Sequence, residues 1–512
     1  MGFFSILLIA VAVLVASFIA MFVYRAAKSW IDLNFYRQQG IKTYYHPILG
    51  YYGMLLKKPN PGQRRCEEGA VEFVKNSYDR GVVVSNRFGG HSPNVIITSA
   101  DYLKEFLMKE DLFERKFSIP DFPMNFGFMF KSGPQAMHER SIFQEIVLYD
   151  ELKHFAPLIS KVAIQFYDQF ARDKSVNSEN FTKINLDEIM PLIMDKVAQV
   201  ILFGRCDFSD DSIEVSIQRD ADSLVHMGAG LISNVFLGMA PGFFYTFPFF
   251  IKKLDELFKK KANLMIKIDK YLKSREGENP AGASTFDKII AHNHKCLTTG
   301  NKNDFMTVDA ITGTLCLISF ASQDTSQNLS KGGIYLLAEN PLVKEEMYRI
   351  SKEVYDSKGK FSLDKIESHV QLSMFFKETI RLANPAFGLL NRVATTNVTI
   401  KDVKIKKGHS ISLLFGSLNM DPKYFDKPNE FHFDRFSKEN EKNYPRYQSI
   451  PFGVGKRVCI GRHLGELTVK ILMTSFCNKF DFDKPADTEY YDMFKFVRTQ
   501  KNPFVNAKLK AK

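Results

Sequence analysis

The chain has 512 residues, 45% of them hydrophobic and 25% charged, with a formal net charge of +12. That balance supports a sizeable core, in one large domain or two ordinary ones, and excludes a disordered chain. The surplus of positive charge suits an anionic membrane surface or an acidic protein partner, and no Lys/Arg-rich run with interleaved aromatics stands out, which argues against nucleic acid.

From Gly2 to Tyr24 the chain carries no charge and is mostly Ile, Leu, Val, Ala and Phe. At about 1.5 Å per helical residue such a run crosses a hydrocarbon core of about 30 Å. No charged side chain precedes it, and Arg25 and Lys28 follow it. This favours an uncleaved anchor with the rest of the chain on the cytoplasmic side. Cleavage after the small residues near Ala16 is the alternative. The expected organisation is an anchor over 1–28, a linker over 29–60 and one large catalytic domain over 61–512.

Val82–Ser85 and Val95–Thr98 read as short strands, and Ser99 as the cap of a helix through about Lys109. Between Asp222 and Lys252 there is no acidic or basic residue, only His226, and phenylalanines crowd the second half. Gly238, Pro241, Gly242 and Pro248 would break a regular helix, so a plain membrane span is a poor fit. Two readings stand side by side for 223–251: a helix end and loop that dip into the bilayer surface, or an ordinary buried segment.

A long helical pattern runs from about Phe305 to Ala338, apolar through its centre, with Asp324 beside Thr325. Burying an unpaired carboxylate is costly, so this stretch is either wet or used for chemistry. Asn340-Pro341 opens the next helix with Asn as cap. A further helix includes Phe375 to Leu382. Val403–Ile405 and Ile411–Phe415 are strand-like, divided by the turn residues Lys407-Gly408. The last helix runs from Gly461 to about Asn478, with Leu464, Leu467, Ile471, Leu472 and Phe476 on a 3.6-residue period. Helix dominates, with minor sheet.

Six cysteines are spread widely without a Cys-x-x-Cys pair. Zinc ribbons and thioredoxin-like motifs are therefore absent, and free thiols are expected. An isolated Cys usually reads as a small buried hydrophobe. Cys459 stands in another setting, Pro451-Phe452-Gly453-Val454-Gly455-Lys456-Arg457-Val458-Cys459-Ile460-Gly461. Its glycines permit a tight loop close to a flat ligand. The Cys lies just before a helix N-terminus, whose partial positive charge and N–H groups stabilise a thiolate. Arg457 is placed to offset an anionic ligand group.

This segment resembles the haem-binding loop of the cytochrome P-450 family, Phe-x-x-Gly-x-Arg-x-Cys-x-Gly, at Phe452, Gly455, Arg457, Cys459 and Gly461. The membrane-bound, microsomal type is the nearest resemblance. It implies a mainly α fold with minor β: a helical bundle around haem plus a small β-rich region, preceded by a single transmembrane helix. Cys459 would be the metal ligand of heme b, a thiolate that pushes electron density onto iron. Arg457 would pair with a haem propionate, with Arg392 and Arg140 as further partners, and Phe452 would pack near the sulfur. Ala136-Met137-His138-Glu139-Arg140 lacks the Trp usual in that stretch. Glu378-Thr379-Ile380-Arg381 looks like the family's Glu-x-x-Arg, with Arg435 as third member of a fold-maintaining network. Phe433 stands where a Pro is usual, and Asn419 where a His is often found. Ala321-Ser322-Gln323-Asp324-Thr325 resembles the family's distal-helix pattern, with Ser322 in place of a Gly. Thr325 would donate a hydrogen bond at the oxygen site, and Asp324 would feed a proton relay.

The resemblance thus implies a monooxygenase acting on a lipophilic substrate with dioxygen, in the endoplasmic reticulum membrane with its catalytic domain in the cytosol. No dinucleotide fingerprint or fused flavin domain stands out, so electrons from NADPH would arrive through a separate reductase. The basic surface, including Lys456, suits such a partner. The alternatives are a haem-thiolate isomerase or dehydratase acting on a preformed peroxide, and a non-catalytic haem-binding protein.

Overall fold

The computed structural model describes residues 3–47, 50, 80–87, 91–115, 127–146, 151–232, 248–356, 361–386, 388–488, 491–494 and 497–510. In chain order, α1 (Phe3–Arg37) leads into β1 (Thr43–Tyr44), β2 (Val82–Arg87), β3 (His91–Ile97), α2 (Ala100–Met108) and β4 (Phe113–Glu114). Then come α3 (Gly127–Phe130), α4 (Pro134–Ile146), α5 (Leu152–Asp173), β5 (Thr182–Asn185), α6 (Met190–Phe203) and α7 (Ile213–Ile232). Helices α8 (Pro248–Ser274), α9 (Thr285–Thr298), α10 (Val308–Glu339), α11 (Pro341–Val354), α12 (Leu363–Ser368) and α13 (Val370–Ala383) follow. Strands β6 (Gly388–Ala394), β7 (Val398–Ile400), β8 (Val403–Ile405) and β9 (Ser410–Leu414) precede α14 (Phe415–Asn419) and α15 (Lys438–Glu441). The chain ends in α16 (Arg462–Lys479), β10 (Phe480–Asp483), β11 (Tyr491–Phe494), β12 (Arg498–Lys501) and β13 (Phe504–Leu509).

These elements form two compact units, one from 1–122, 228–257 and 388–418, the other from 123–227, 258–387 and 419–512. The first is built on a six-stranded mixed sheet in the order β1-β2-β3-β9-β6-β4. Val82, Val83 and Val84 of β2 are all buried, with Val84 opposite Val95. Gly388 opens β6 where a Cβ would stand 1.7 Å from the Leu413 carbonyl, so glycine alone fits. The hairpin β7–β8 buries Val398, Ile400, Val403 and Ile405 and turns Thr399 and Lys404 outward, the alternation of a one-sided strand pair.

The expected linker over 29–60 is different in its first part. Helix α1 continues without a break to Arg37, and Leu33 and Tyr36 are completely buried in the sheet unit. The reason is periodicity: Ser29, Leu33 and Tyr36 follow each other at helical spacing and supply an inward face. Residues 51–60 lie outside the described set. The part of α1 from Ile9 onward is long and apolar enough to cross a membrane. At its buried end the Tyr36 hydroxyl meets Nδ1 of His409 at 2.8 Å, and Asp32 lies 4.0 Å from Nε2.

The second unit is helical. Helices α5, α6, α10, α11, α13 and α16 share one apolar core, joined by the antiparallel strands β10-β13-β5. Gly333 of α10 marks the closest helix approach: a Cβ there would meet Met473 of α16 at 2.6 Å and Thr379 of α13 at 3.2 Å. The long helix expected from about Phe305 begins instead at Val308, where the Thr307 side chain accepts from the Ala310 N–H. Ser99 precedes α2 but makes no side-chain cap bond. Asn340 does not cap α11 either; its amide donates back to the Leu336 carbonyl at 2.7 Å and so closes α10. Of the segment 223–251, the first part is the end of α7, 233–247 lies outside the described residues, and Pro248 opens α8, where a missing N–H costs nothing. The five described cysteines, Cys206, Cys296, Cys316, Cys459 and Cys477, are free thiols.

Inside this unit Glu378, Arg381 and Arg435 meet with almost no exposure. Arg381 Nε and Nη2 donate to the two Glu378 carboxylate oxygens at 2.7 Å each, and Arg435 Nε donates to Oε1 at 3.1 Å. Arg381 also donates to the carbonyls of Asn419, Pro428 and Glu430, and Arg435 to those of Asp426 and Lys427. The segment leading to the Cys459 loop is thereby tied to α13.

Two predictions follow from these buried groups. Glu378→Ala strands two guanidinium groups in the core, and urea unfolding should show a loss on the order of 3–5 kcal/mol; an unchanged midpoint would refute the network's role. For His409, burial pushes the imidazole down to about 4. The folded chain therefore binds fewer protons than the unfolded one below the ordinary histidine value, and stability is lost as pH falls from about 6.5 towards about 4. The loss is on the order of 3 kcal/mol at most. Urea midpoints taken across that window should slope for the parent chain and flatten for His409→Gln; equal slopes would remove His409 as the cause.

Candidate functional site

The loop before α16 is shaped by its own backbone. Gly453 and Gly455 have φ of 74° and 79°, a region that other residues enter only with strain. Gly455–Arg457 forms a single 3₁₀ turn, and the Cys459 N–H donates to the Phe452 carbonyl at 2.9 Å, closing the loop. Gly461 differs from the other two glycines: its φ of −82° suits any residue, and a Cβ there would touch the Cys459 sulfur at an ordinary 4.0 Å. Gly461 begins the last helix, its carbonyl accepting from the Gly465 N–H at 2.7 Å. The Phe452 ring stacks on Phe376 of α13, centroids 6.4 Å apart.

Cys459 is exposed at its own surface while protein encloses it on the remaining sides. That enclosure pushes the thiol up, against the Gly461 N–H that donates to it and the positive charges of Arg140 and Arg462. The helix terminus therefore acts in the expected direction but does not win alone. Nor is Arg457 the cation that acts on the sulfur. Its Nη1 and Nη2 donate to the carbonyls of Phe128 and Lys131 at 3.1 Å each, fastening the loop to α3. Arg140 of α4 does act on the thiol through its charge, as Arg462 does. It is buried, donates to the Val458 carbonyl, and is pushed down by burial and by the nearby Arg457, with Cys459 acting the other way. Ala136, where a Trp is usual in the family, is buried one turn before it.

This donor set fits one kind of group. Among the described residues no three His, Cys, Asp or Glu side chains come together as a metal cage. A lone thiol suits a metal that arrives with its other donors in a macrocycle, and Arg140 and Arg457 repel one another until an anion lies near both. A haem with its carboxylates meets both conditions.

Helix α10 carries the second set of residues. Thr325 Oγ1 donates to the Ala321 carbonyl at 2.7 Å, Asn328 Nδ2 to the Asp324 carbonyl at 2.7 Å, and Ser322 Oγ to the Ser319 carbonyl at 3.3 Å. Side chains that bond back to carbonyls one turn earlier weaken the helix locally and tend to bend it. The Asp324 carboxylate accepts from Gln327 at 2.9 Å. Next to it lies a group of residues that sequence reasoning missed. Asp222 of α7 accepts from Ser319 Oγ and, at 3.3 Å, from Gln323 Nε2. Asp195 of α6 is pushed up to about 6 by burial and by Asp222, and burial likewise raises Asp222. Ser319 and Gln323 are four residues apart, a spacing visible in the sequence, but their partner is about a hundred residues away.

The expected site residues thus fall into groups. Phe452, Gly455, Arg457, Cys459, Gly461 and Arg140 are together around the loop, and Asp324 and Thr325 sit side by side on α10. Arg392 belongs to the sheet unit, buried on β6 opposite Ile411.

Comparison with known proteins bears on the whole chain. The family model "Cytochrome P450" matches residues 63–507. Cytochrome P450 3A41 of Mus musculus is 23% identical over 464 residues, which span 86% of this chain and 88% of that protein. Thromboxane-A synthase of Macaca fascicularis is 28% identical over 230 residues, 43% of each chain. The solved heme domain of cytochrome P450DA superposes with a TM-score of 0.73 at 16% identity, covering 92% of this chain and 98% of that one. The loop, the helices that surround it and the match over most of the sequence agree: the chain belongs to the cytochrome P450 family.

Proposed function

We propose that this chain is a haem-thiolate monooxygenase that inserts one oxygen atom of dioxygen into a lipophilic substrate. Electrons would come from NADPH through a separate flavoprotein reductase, docked on a basic face that includes Lys456. The segment 1–28 would anchor it on the endoplasmic reticulum membrane, with 61–512 as the cytosolic catalytic part. The observation that supports this most is Cys459, an exposed residue whose sulfur receives the Gly461 N–H and whose charge Arg140, bonded to the Val458 carbonyl, would favour.

When bound, a haem supplies dioxygen activation that side chains do not perform. The chain's own residues do the rest. Cys459 Sγ would hold the iron, and the Gly461 N–H would steady its charge. Arg140 and Arg457 would receive the carboxylates. Thr325 Oγ1, kept in place by the Ala321 carbonyl, would hand on a proton that the Asp324 carboxyl replaces. An isomerase working on a preformed peroxide needs neither that pair nor a reductase, so Asp324 and Thr325 favour the monooxygenase.

Reduced protein under carbon monoxide should show the red-shifted Soret band of thiolate ligation, and Cys459→His should abolish it; a histidine-type band in the parent chain would end the assignment. Thr325→Ala should divert about tenfold more of the reducing equivalents to peroxide, judged from the 10²–10⁴-fold worth of a positioned proton donor. The peroxide yield per NADPH measures this, and an unchanged ratio would count for the peroxide isomerase.

A further inference from the structure

Helix α7 is tied on two faces. Ser216, Asp220 and Ser223, spaced along one side, receive Lys267 and Lys260 of α8 at 2.6–3.0 Å. Gln218 and Asp222, four residues apart on another side, point elsewhere. Gln218 Nε2 donates to the Asp195 carbonyl of α6 at 2.8 Å, and Asp222 spans Ser319 and Gln323 of α10. Ser319 is fully buried and Asp222 half-buried, with no Lys or Arg bonded to that carboxylate. Its two oxygens are occupied by neutral donors one helical turn apart.

A carboxylate that grips residues i and i+4 reads both the rotation and the height of a helix. Sliding α10 by one residue moves each donor about 1.5 Å along the axis and about 100° around it, breaking both bonds. The gripped residues enclose Phe320–Ser322, and Gln323 directly precedes Asp324 and Thr325. That same stretch is loosened by the Thr325 and Asn328 side chains bonding backwards. An outside anchor has most effect where the helix is least able to hold its own geometry.

We propose that Asp222 is a positioning residue for the distal turn: by clamping Ser319 and Gln323 it sets the placement of Asp324 and Thr325 and couples that placement to α7. This rests on the reading of Asp324 and Thr325 as the proton-delivering pair. The role is that of an acceptor, not an acid. In Asp222→Asn the amide oxygen still accepts from Ser319, and the amide N–H₂ meets Gln323 once that amide turns over. Asp222→Leu keeps the branching at Cγ, is somewhat larger, and removes both bonds.

The test uses the full, haem-loaded chain with two readouts: amide hydrogen exchange along Ser319–Asn328, and peroxide formed per NADPH. Asp222→Leu should speed exchange in that segment by about tenfold, the loss expected for hydrogen bonds to a charged group, and raise the peroxide yield. Asp222→Asn should restore both. Lys267→Met removes the bonds to Ser216 and Asp220 but leaves Lys260–Ser223 and the Asp222 clamp in place; it should speed exchange in α7 and leave Ser319–Asn328 as it was. If Asp222→Leu does not accumulate, Gln323→Met cuts one of the two bonds and should give the same pattern at smaller amplitude. The proposal is overturned if Asp222→Leu leaves exchange in Ser319–Asn328 unchanged, which would make Asp222 a staple of α7 alone. It is equally overturned if Asp222→Asn keeps slow exchange but leaks peroxide, which would make the carboxyl an acid. The exchange result stands apart from Thr325→Ala, so failure of the distal-pair reading is told apart from failure of the clamp.

Discussion

A single buried carboxylate, Glu378, holds together the part of the chain on which the site is built. It balances Arg381 and Arg435 in a region with almost no solvent, and the two guanidinium groups spend their remaining N–H groups on five backbone carbonyls. A buried ion pair is weak support for stability in itself, because desolvation cancels much of the attraction. Its value here is geometric. Irregular chain between β9 and the Cys459 loop has few ladder bonds of its own, and the arginines supply donors for carbonyls that would otherwise be buried without partners.

The Cys459 loop follows the same logic with opposite sign. Enclosure raises the cost of a negative sulfur, and the chain meets that cost with one N–H, from Gly461, and with cations at a distance. Arg140 and Arg457 crowd each other beside it, a cost that makes sense where anionic groups are received. Arg457 spends two of its donors on Phe128 and Lys131, so the loop is fixed to α3 before any ligand arrives. Preorganisation of this kind lets the loop bind without first being ordered. On α10 the balance is different again. Side chains that bond back to carbonyls loosen the helix, and Asp222 restrains it from outside.

Much of this was legible in the linear order of residues. The local signals were strong wherever one segment carries all the needed parts: the uncharged run 2–24, the 3.6-residue stripe of α16, the glycines and Cys459 in one loop, Glu378 and Arg381 one turn apart. The missed features join distant segments. Ser99 and Asn340 have the right identity for helix caps, yet neither side chain caps its helix, because the choice among nearby backbone partners depends on the packed chain. The linker expected after residue 28 proved to be helix, because the buried face of Ser29, Leu33 and Tyr36 has meaning only once the sheet supplies a surface for it.

The sequence by itself determined the family-bearing loop, the helical character, the apolar N-terminal helix and the adjacent Asp324 and Thr325, since each depends on spacing along one stretch of chain. Only the tertiary structure decided what surrounds Cys459. Arg140 bonds the carbonyl of Val458 next to Cys459, Arg457 fastens the loop, and burial opposes the thiolate that the helix terminus favours. It also decided that Asp222 grips α10. Those outcomes rest on distances between residues up to about three hundred positions apart, and on the removal of water from between them, which no local pattern records.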